Sequence, residues 1–189
     1  AWHVLRHTLR LDARVVGVDA QSGVIASGRA AAAQINAEHL RFEVGTIQEA
    51  PLPGVDVLIA LHACNDATDH ALTRGVRAGA RVLVVAPCCH KDVRRGLGEP
   101  VPVAPLLKHG LFKERFAEWL TDGLRVLALE AASYRVTVSE FVDAEHTPKN
   151  VLIGAVQGQT PERQAAARAE FMALKQWAGL GALAVDGLV

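Results

Sequence analysis

Residues 55–66 read VDVLIALHACND, and this stretch decides the fold. Its first seven residues are almost continuously apolar, the pattern of a strand buried on both faces of a parallel sheet. The run then breaks into His62, Cys64, Asn65 and Asp66. These groups carry base, nucleophile, donor and acceptor capacity. In open α/β sheets ligands bind beyond the carboxyl ends of the strands, so the residues after each strand are the ones to read.

Downstream, residues 67–77 predict a helix capped by Asp66, with Asp69 adding negative charge to its first turn and Gly79 ending it. Residues 81–86 (RVLVVA) form another buried strand, stopped by Pro87. Gly96, Gly98, Pro100, Pro102 and Pro105 mark residues 96–105 as a loop. A long helix follows over 111–132, with Phe112, Phe116, Leu120, Leu124 and Leu127 on one inward stripe. On its other side Arg115, Glu118 and Asp122 read as a solvated face laced with salt bridges. Residues 134–142 and 151–156 are strands joined by residues 143–150 without a helix, which predicts an antiparallel pair at one edge. Thr160-Pro161 opens a last helix with Phe171, Leu174 and Trp177 inward, and the apolar tail 179–189 docks.

Upstream, residues 14–19 (RVVGVD) and 41–47 (RFEVGTI) are strands, separated by an alanine-rich helix over 23–39 that Ser22 caps. Trp2, Leu5 and Leu9 recur at helical spacing. Pro51, Pro53 and Gly54 break the chain. Strands alternating with helices make an α/β fold with a mostly parallel sheet, an antiparallel final edge pair and both faces covered.

Composition bounds the function. The chain has 189 residues, with 20 basic and 20 acidic side chains and 50% hydrophobic residues. That is enough for one domain with a real core, read here as residues 1–189, of which 157–189 are a C-terminal helix and docking tail. Zero net charge excludes a surface that is basic throughout, so RNA binding rests on a local basic patch or on residues upstream of Ala1. Lys108, His109 and Arg115, and also Arg94 and Arg95, are candidates for phosphate contacts. No apolar run is long enough for a membrane helix, and no N-terminal stretch of these residues has the basic, apolar and small-residue order expected of a signal peptide. Three cysteines, two of them adjacent, fit a reducing, cytoplasmic setting.

The strand ends supply the candidate site. Asp19 ends the first strand, where a carboxylate can accept both hydroxyls of a ribose or simply close a turn. Thr46, Ile47 and Gln48 follow the second. Leu61, His62, Cys64 and Asp66 follow the third. Pro87, Cys88, Cys89, His90 and Lys91 follow the fourth. Glu145, His146 and Lys149 lie in the connection after the fifth. Segments far apart in sequence thus bring thiol, imidazole, amine and carboxylate groups to one rim.

The segments LHACNDATDHAL (61–72), APCCHK (86–91) and EHTPKN (145–150) resemble those of a group of class I S-adenosylmethionine-dependent methyltransferases. The group includes the eukaryotic tRNA acceptor-stem 2′-O-methyltransferases and bacterial methyltransferases of poorly defined substrate. The resemblance covers most of residues 15–156. It implies a Rossmann-like sheet of seven strands with the last one antiparallel. It implies S-adenosyl-L-methionine as cofactor, with Asp19 and Ala20 at the ribose, Thr46, Ile47 and Gln48 at the adenine, and Leu61 and His62 on the cofactor's other side. Residues 1–10 match the helix that follows the family's first strand and glycine-rich loop, so both are expected to be absent from these 189 residues. The resemblance makes RNA (tRNA or rRNA) the expected substrate; a protein or a small molecule is the alternative, as is an inactive Rossmann-like scaffold.

Methyl transfer asks the protein to hold nucleophile, carbon and sulfur nearly in line. For a ribose hydroxyl, Lys149 or His146 stabilises the developing oxyanion and His62 or Asp66 takes the proton. The candidate catalytic set is His62, Cys64, Asp66, Cys88, Cys89, His90, His146 and Lys149. Two other chemistries are open to the cysteines. Thiolate attack from Cys64 would serve cytosine C5 methylation, although no proline precedes it. Zinc could take His62, Cys64, Cys88, Cys89 and His90, but vicinal ligands make a poor tetrahedral site and no C-x-x-C spacing exists, so no metal is assigned. The remaining reading of the thiols is structural packing.

Overall fold

The computed structural model describes every residue except Pro53, His62, Cys64, Asn65, Val101, Ala144, His146 and Pro148. It divides into two compact units, residues 1–51 and 52–189. No helix among the described residues is long and apolar enough to cross a membrane.

The first unit opens with a helical turn whose Val4–Thr8 part is π-helical, tied down where the Trp2 indole donates to the Glu38 carbonyl at 2.9 Å. Strand β1 (Val15–Asp19) pairs in parallel with β2 (Leu40–Val44). Helix α1 (Ser22–Gln34) connects them. Ser22 does not cap this helix: Gln21 holds the N-cap position, Ser22 is its first residue, and the helix ends five residues before His39. The reason lies in the neighbours. Asn36 and His39 both take positive φ, 48° and 62°, which ends a right-handed helix early. Gly17 is required by packing, since a Cβ there would lie 2.8 Å from the Phe42 ring.

The second unit carries β3 (Val57–Leu61), α2 (Ala67–Arg77), β4 (Val82–Ala86), α3 (Lys91–Gly96), α4 (Ala104–Leu107), α5 (Gly110–Ala131), β5 (Tyr134–Glu140), β6 (Val151–Gln157) and α6 (Pro161–Trp177). Its sheet runs β3-β4-β6-β5. The pair β3·β4 is parallel, and β6 is antiparallel to both its neighbours. Only β6 is therefore reversed, and it slots between β4 and β5. The antiparallel pair expected from the short connection is present. The six described strands lie in a two-stranded and a four-stranded sheet, where the resemblance implied seven strands in one.

Local chemistry explains most of these elements. Helix α2 ends at a left-handed Gly79, with φ 74°. Its Gly75 sits so close to the sheet that a Cβ would meet Leu83 Cδ2 at 2.5 Å. Thr160 caps α6 through its hydroxyl, which accepts from the Arg163 amide at 3.3 Å, and Pro161 occupies the first turn. Arg163 is held by Glu170 and by Glu130 of α5, and these carboxylates raise its pKa. The tail docks as expected, with Val185 and Leu188 buried in the short 3₁₀ turn Ala184–Leu188.

Four further expectations need correction. Strand β3 is not buried on both faces: Leu58 is buried, but Val57, Ile59 and Leu61, which alternate with it onto the opposite face, are exposed. Residues 96–105 are not all loop, since α3 ends at Gly96 and Pro105 lies in the first turn of α4, where its missing N–H costs nothing. Phe112 and Trp177 are not inward; Phe112 is half exposed, and Trp177 instead meets the Phe116 ring edge-on at a centroid distance of 6.0 Å. The fourth concerns the charged side of α5, and it builds the site.

Candidate active site

Strands β3, β4 and β5 all point the same way, so their carboxyl ends share one rim of the second unit. In register, Leu61 stands beside Ala86, and Glu140 beside Val151. The described residues that follow these strands, among them Asp66, residues 87–91 and Lys149, therefore leave the sheet on that side. Short hydrogen bonds fix them. The Thr68 hydroxyl donates to the Ala63 carbonyl at 2.6 Å. The Asn150 amide donates to the Val142 carbonyl at 3.1 Å and closes the last connection. Lys149 N–H donates to the Thr147 hydroxyl at 3.1 Å.

Beneath the rim runs α5. Glu118, Asp122 and Arg125 follow one another at helical spacings of four and three, on one face. This face is not solvated. Arg125 is only 1% exposed and Glu118 8%. Each group is instead matched to a partner from another element. The Arg125 Nε donates to Asp69 Oδ1 of α2 at 2.6 Å, and its Nη1 to Asp122 Oδ1 at 3.0 Å. The His90 Nε2 lies 3.3 Å from the same Asp122 oxygen. The Lys149 ammonium pairs with Glu118, which also accepts from Arg115 at 3.0 Å. Charged residues on a helix face read as solvated when only their spacing is considered. Here the buried Arg125 is met by two carboxylates and the buried Glu118 by Lys149 and Arg115, so burial is tolerated.

A cavity of about 200 Å³ opens beside this network. Asp66, Asp69, Cys89, His90 and Arg125 line it, and Leu183 of the docked tail closes another wall. His90 is nine-tenths buried, and its Nδ1 has no partner among the described residues. The Cys88 and Cys89 sulfurs stand 3.7 Å apart, well beyond the ~2.05 Å of a disulfide.

The predicted residues thus fall into groups. Cys89, His90 and Asp66 line one cavity, and Lys149 is held on the same rim by the α5 stripe. Asp66 stands at the N-cap of α2 but its side chain does not cap; it lies 3.4 Å from His70 Nε2, one turn on. Leu61 is exposed at the end of β3. His62, Cys64 and His146 lie outside the described residues. In the first unit, Asp19 ends β1 beside Val44, with Oδ1 accepting the Gln21 amide at 2.7 Å, and Ala20 is exposed next to it. Thr46, Ile47 and Gln48 follow the adjacent strand; Thr46 donates to Glu49 at 2.9 Å, Ile47 is half-buried and Gln48 exposed. A carboxylate beside a turn of mixed polar and apolar character fits the ribose and base of a nucleoside. Sequence reading missed Arg125 as a site residue and gave Asp69 only a helix-end role. The available signal was an arginine between Leu124 and Ala128 in the apolar part of a helix.

Residues 2–96 match the profile of a methyltransferase domain family. No curated protein matches the sequence. Among solved structures, the chain is similar to the YcgJ protein from Bacillus subtilis, at 11% identity and a TM-score of 0.44, covering 78% of this chain and 83% of that one. It is also similar to the CMeT domain of the citrinin polyketide synthase, at 15% identity and a TM-score of 0.46, covering 82% of this chain and 42% of that one.

Proposed function

The chain belongs to a methyltransferase domain family, and from that premise we propose that it transfers a methyl group from S-adenosyl-L-methionine to RNA. The observation that carries the reading is the rim of the second unit. The residues that follow its strands include Asp66, Cys88, Cys89, His90 and Lys149, and charged residues of α5 hold His90 and Lys149. A single methyltransferase domain over residues 1–189 is part of the proposal.

When bound, the cofactor supplies a methyl group already activated by a sulfonium. Asp19 accepts its ribose hydroxyls, with Ala20 alongside, and Thr46, Ile47 and Gln48 flank its adenine. Leu61 and His62 face its amino-acid side. Lys149, steadied by Glu118, supplies positive charge at the acceptor, and His146 is its companion in the same connection. Cys64, Cys88 and Cys89 are assigned a packing role, and Asp66 and His90 provide acceptor groups beside the cavity that Cys89 also lines. RNA is favoured over a protein or small-molecule acceptor by analogy alone, through the resemblance of the His-x-Cys and Cys-Cys-His segments to those of tRNA methyltransferases.

The test is methyl transfer from labelled S-adenosylmethionine to total RNA, with calorimetry of S-adenosylhomocysteine beside it, both on the full-length protein. Label in RNA and binding of the product support the reading. Label in protein or in small molecules alone moves the substrate class. Binding by neither favours a scaffold.

A further inference from the structure

The α5 stripe fixes more than the position of His90; it fixes its tautomer. Asp122 Oδ1 accepts from Arg125 at 3.0 Å, which keeps that carboxylate an acceptor. His90 Nε2 lies 3.3 Å from the same oxygen, so Nε2 must carry the hydrogen. A neutral imidazole has only one N–H. In the neutral ring, Nδ1 is then a bare lone pair. It is buried without a partner among the described residues, on a side chain only 4% exposed that lines the cavity. An unmet buried acceptor costs about 1–3 kcal/mol, and such groups collect where a function needs them. Asp69 completes the arrangement by holding Arg125 from the far side at 2.6 Å.

We infer that His90 Nδ1 is the proton acceptor for the group that becomes methylated, and that Asp122, Arg125 and Asp69 are positioning residues that set its tautomer. The inference rests on the methyl-transfer reading. Its ligand is a hydrogen-bond donor, a hydroxyl or an amine, that enters the cavity beside Cys89. The acceptor's lone pair forms the bond to the methyl carbon while the carbon–sulfur bond breaks and its electron pair stays with sulfur. The acceptor's proton passes to Nδ1, and the imidazolium that results is stabilised by the Asp122 carboxylate. No other reactant is needed. This moves the base from His62 or Asp66 to a residue whose second nitrogen is already anchored.

Two measurements on the full-length protein test it. Nitrogen-15 NMR of the histidines, with the His90 signals assigned from the His90→Gln spectrum, reads the tautomer directly. The expected result is protonated Nε2 and unprotonated Nδ1 in the wild type, with the preference lost in Asp122→Asn. A proton on Nδ1 in the wild type overturns the inference whether or not any variant folds. Methyl transfer to total RNA is the second readout. His90→Gln is expected to lower kcat by about 10²–10⁴-fold while S-adenosylhomocysteine still binds. An active wild type with an equally active His90→Gln overturns this inference alone. A wild type that methylates nothing overturns the methyl-transfer reading and the role of His90 with it.

Discussion

Arg125 and Asp69 stand 56 positions apart in the chain, and the guanidinium Nε of one donates to the carboxylate of the other at 2.6 Å. The arginine side chain is 2% exposed and the aspartate 13%. A pair of this kind is costly to break, because removing one partner strands the other in a poorly solvated place. Arg125→Ala strands Asp69 and Asp122 together. It is expected to destabilise the chain by about 3–5 kcal/mol in urea unfolding. Arg125→Lys is expected to recover little, since one ammonium cannot reproduce two directed N–H bonds to different carboxylates. A loss under about 1 kcal/mol would show that the network is solvated after all.

Tyr134 is the chain's only tyrosine, so its titration can be followed by absorbance without ambiguity. Its hydroxyl donates to the Ala80 carbonyl at 2.5 Å, and burial pushes its pKa up. The folded chain thus holds the phenol proton more tightly than the unfolded one. Stability from this source is complete below about pH 10 and is lost as pH rises through the raised value. Alkaline titration should show tyrosinate appearing together with unfolding. Tyr134→Phe should cost about 1 kcal/mol at neutral pH and make the alkaline fall shallower. Tyrosinate formed at an ordinary pKa in a still-folded chain would contradict this.

Asp19 is proposed to hold the cofactor's ribose. Asp19→Asn keeps the size and the turn to Gln21 but removes the charge. A hydrogen bond to a charged group is worth about 1.5–3 kcal/mol, so S-adenosylhomocysteine should bind about 10- to 100-fold more weakly, with the melting temperature nearly unchanged. Calorimetry on the full-length protein reads this directly, and unchanged affinity removes Asp19 from the site.

The thiols at 88 and 89 are proposed to shape the rim rather than to attack substrate. Cys88→Ser and Cys89→Ser should therefore leave methyl transfer largely intact. Abolished transfer with an undisturbed fold, together with a trapped covalent RNA adduct in the wild type, would favour the thiolate chemistry instead.

Much of this was legible in the sequence. The run VDVLIAL announced the strand β3, and the Thr160-Pro161 and Gly79 signals placed helix ends because each has a local cause. The antiparallel pairing of β5 with β6 was readable from the short connection, without a helix, between two apolar runs. Long-range pairing was not readable. Nothing local to α5 says that Glu118 meets Lys149, or that Asp122 meets His90. The same i, i+3 and i, i+4 spacing serves a solvated face equally well, and only the tertiary fold decides which it is. The exposure of Val57, Ile59 and Leu61 escaped for a similar reason, since an apolar strand does not reveal whether both of its faces are covered.

The most direct test of the central claim is label transfer from S-adenosylmethionine to total RNA by the full-length protein. The account predicts methyl label in RNA, strongly reduced by His90→Gln. RNA left unlabelled by a folded wild-type protein that also fails to bind S-adenosylhomocysteine would contradict it.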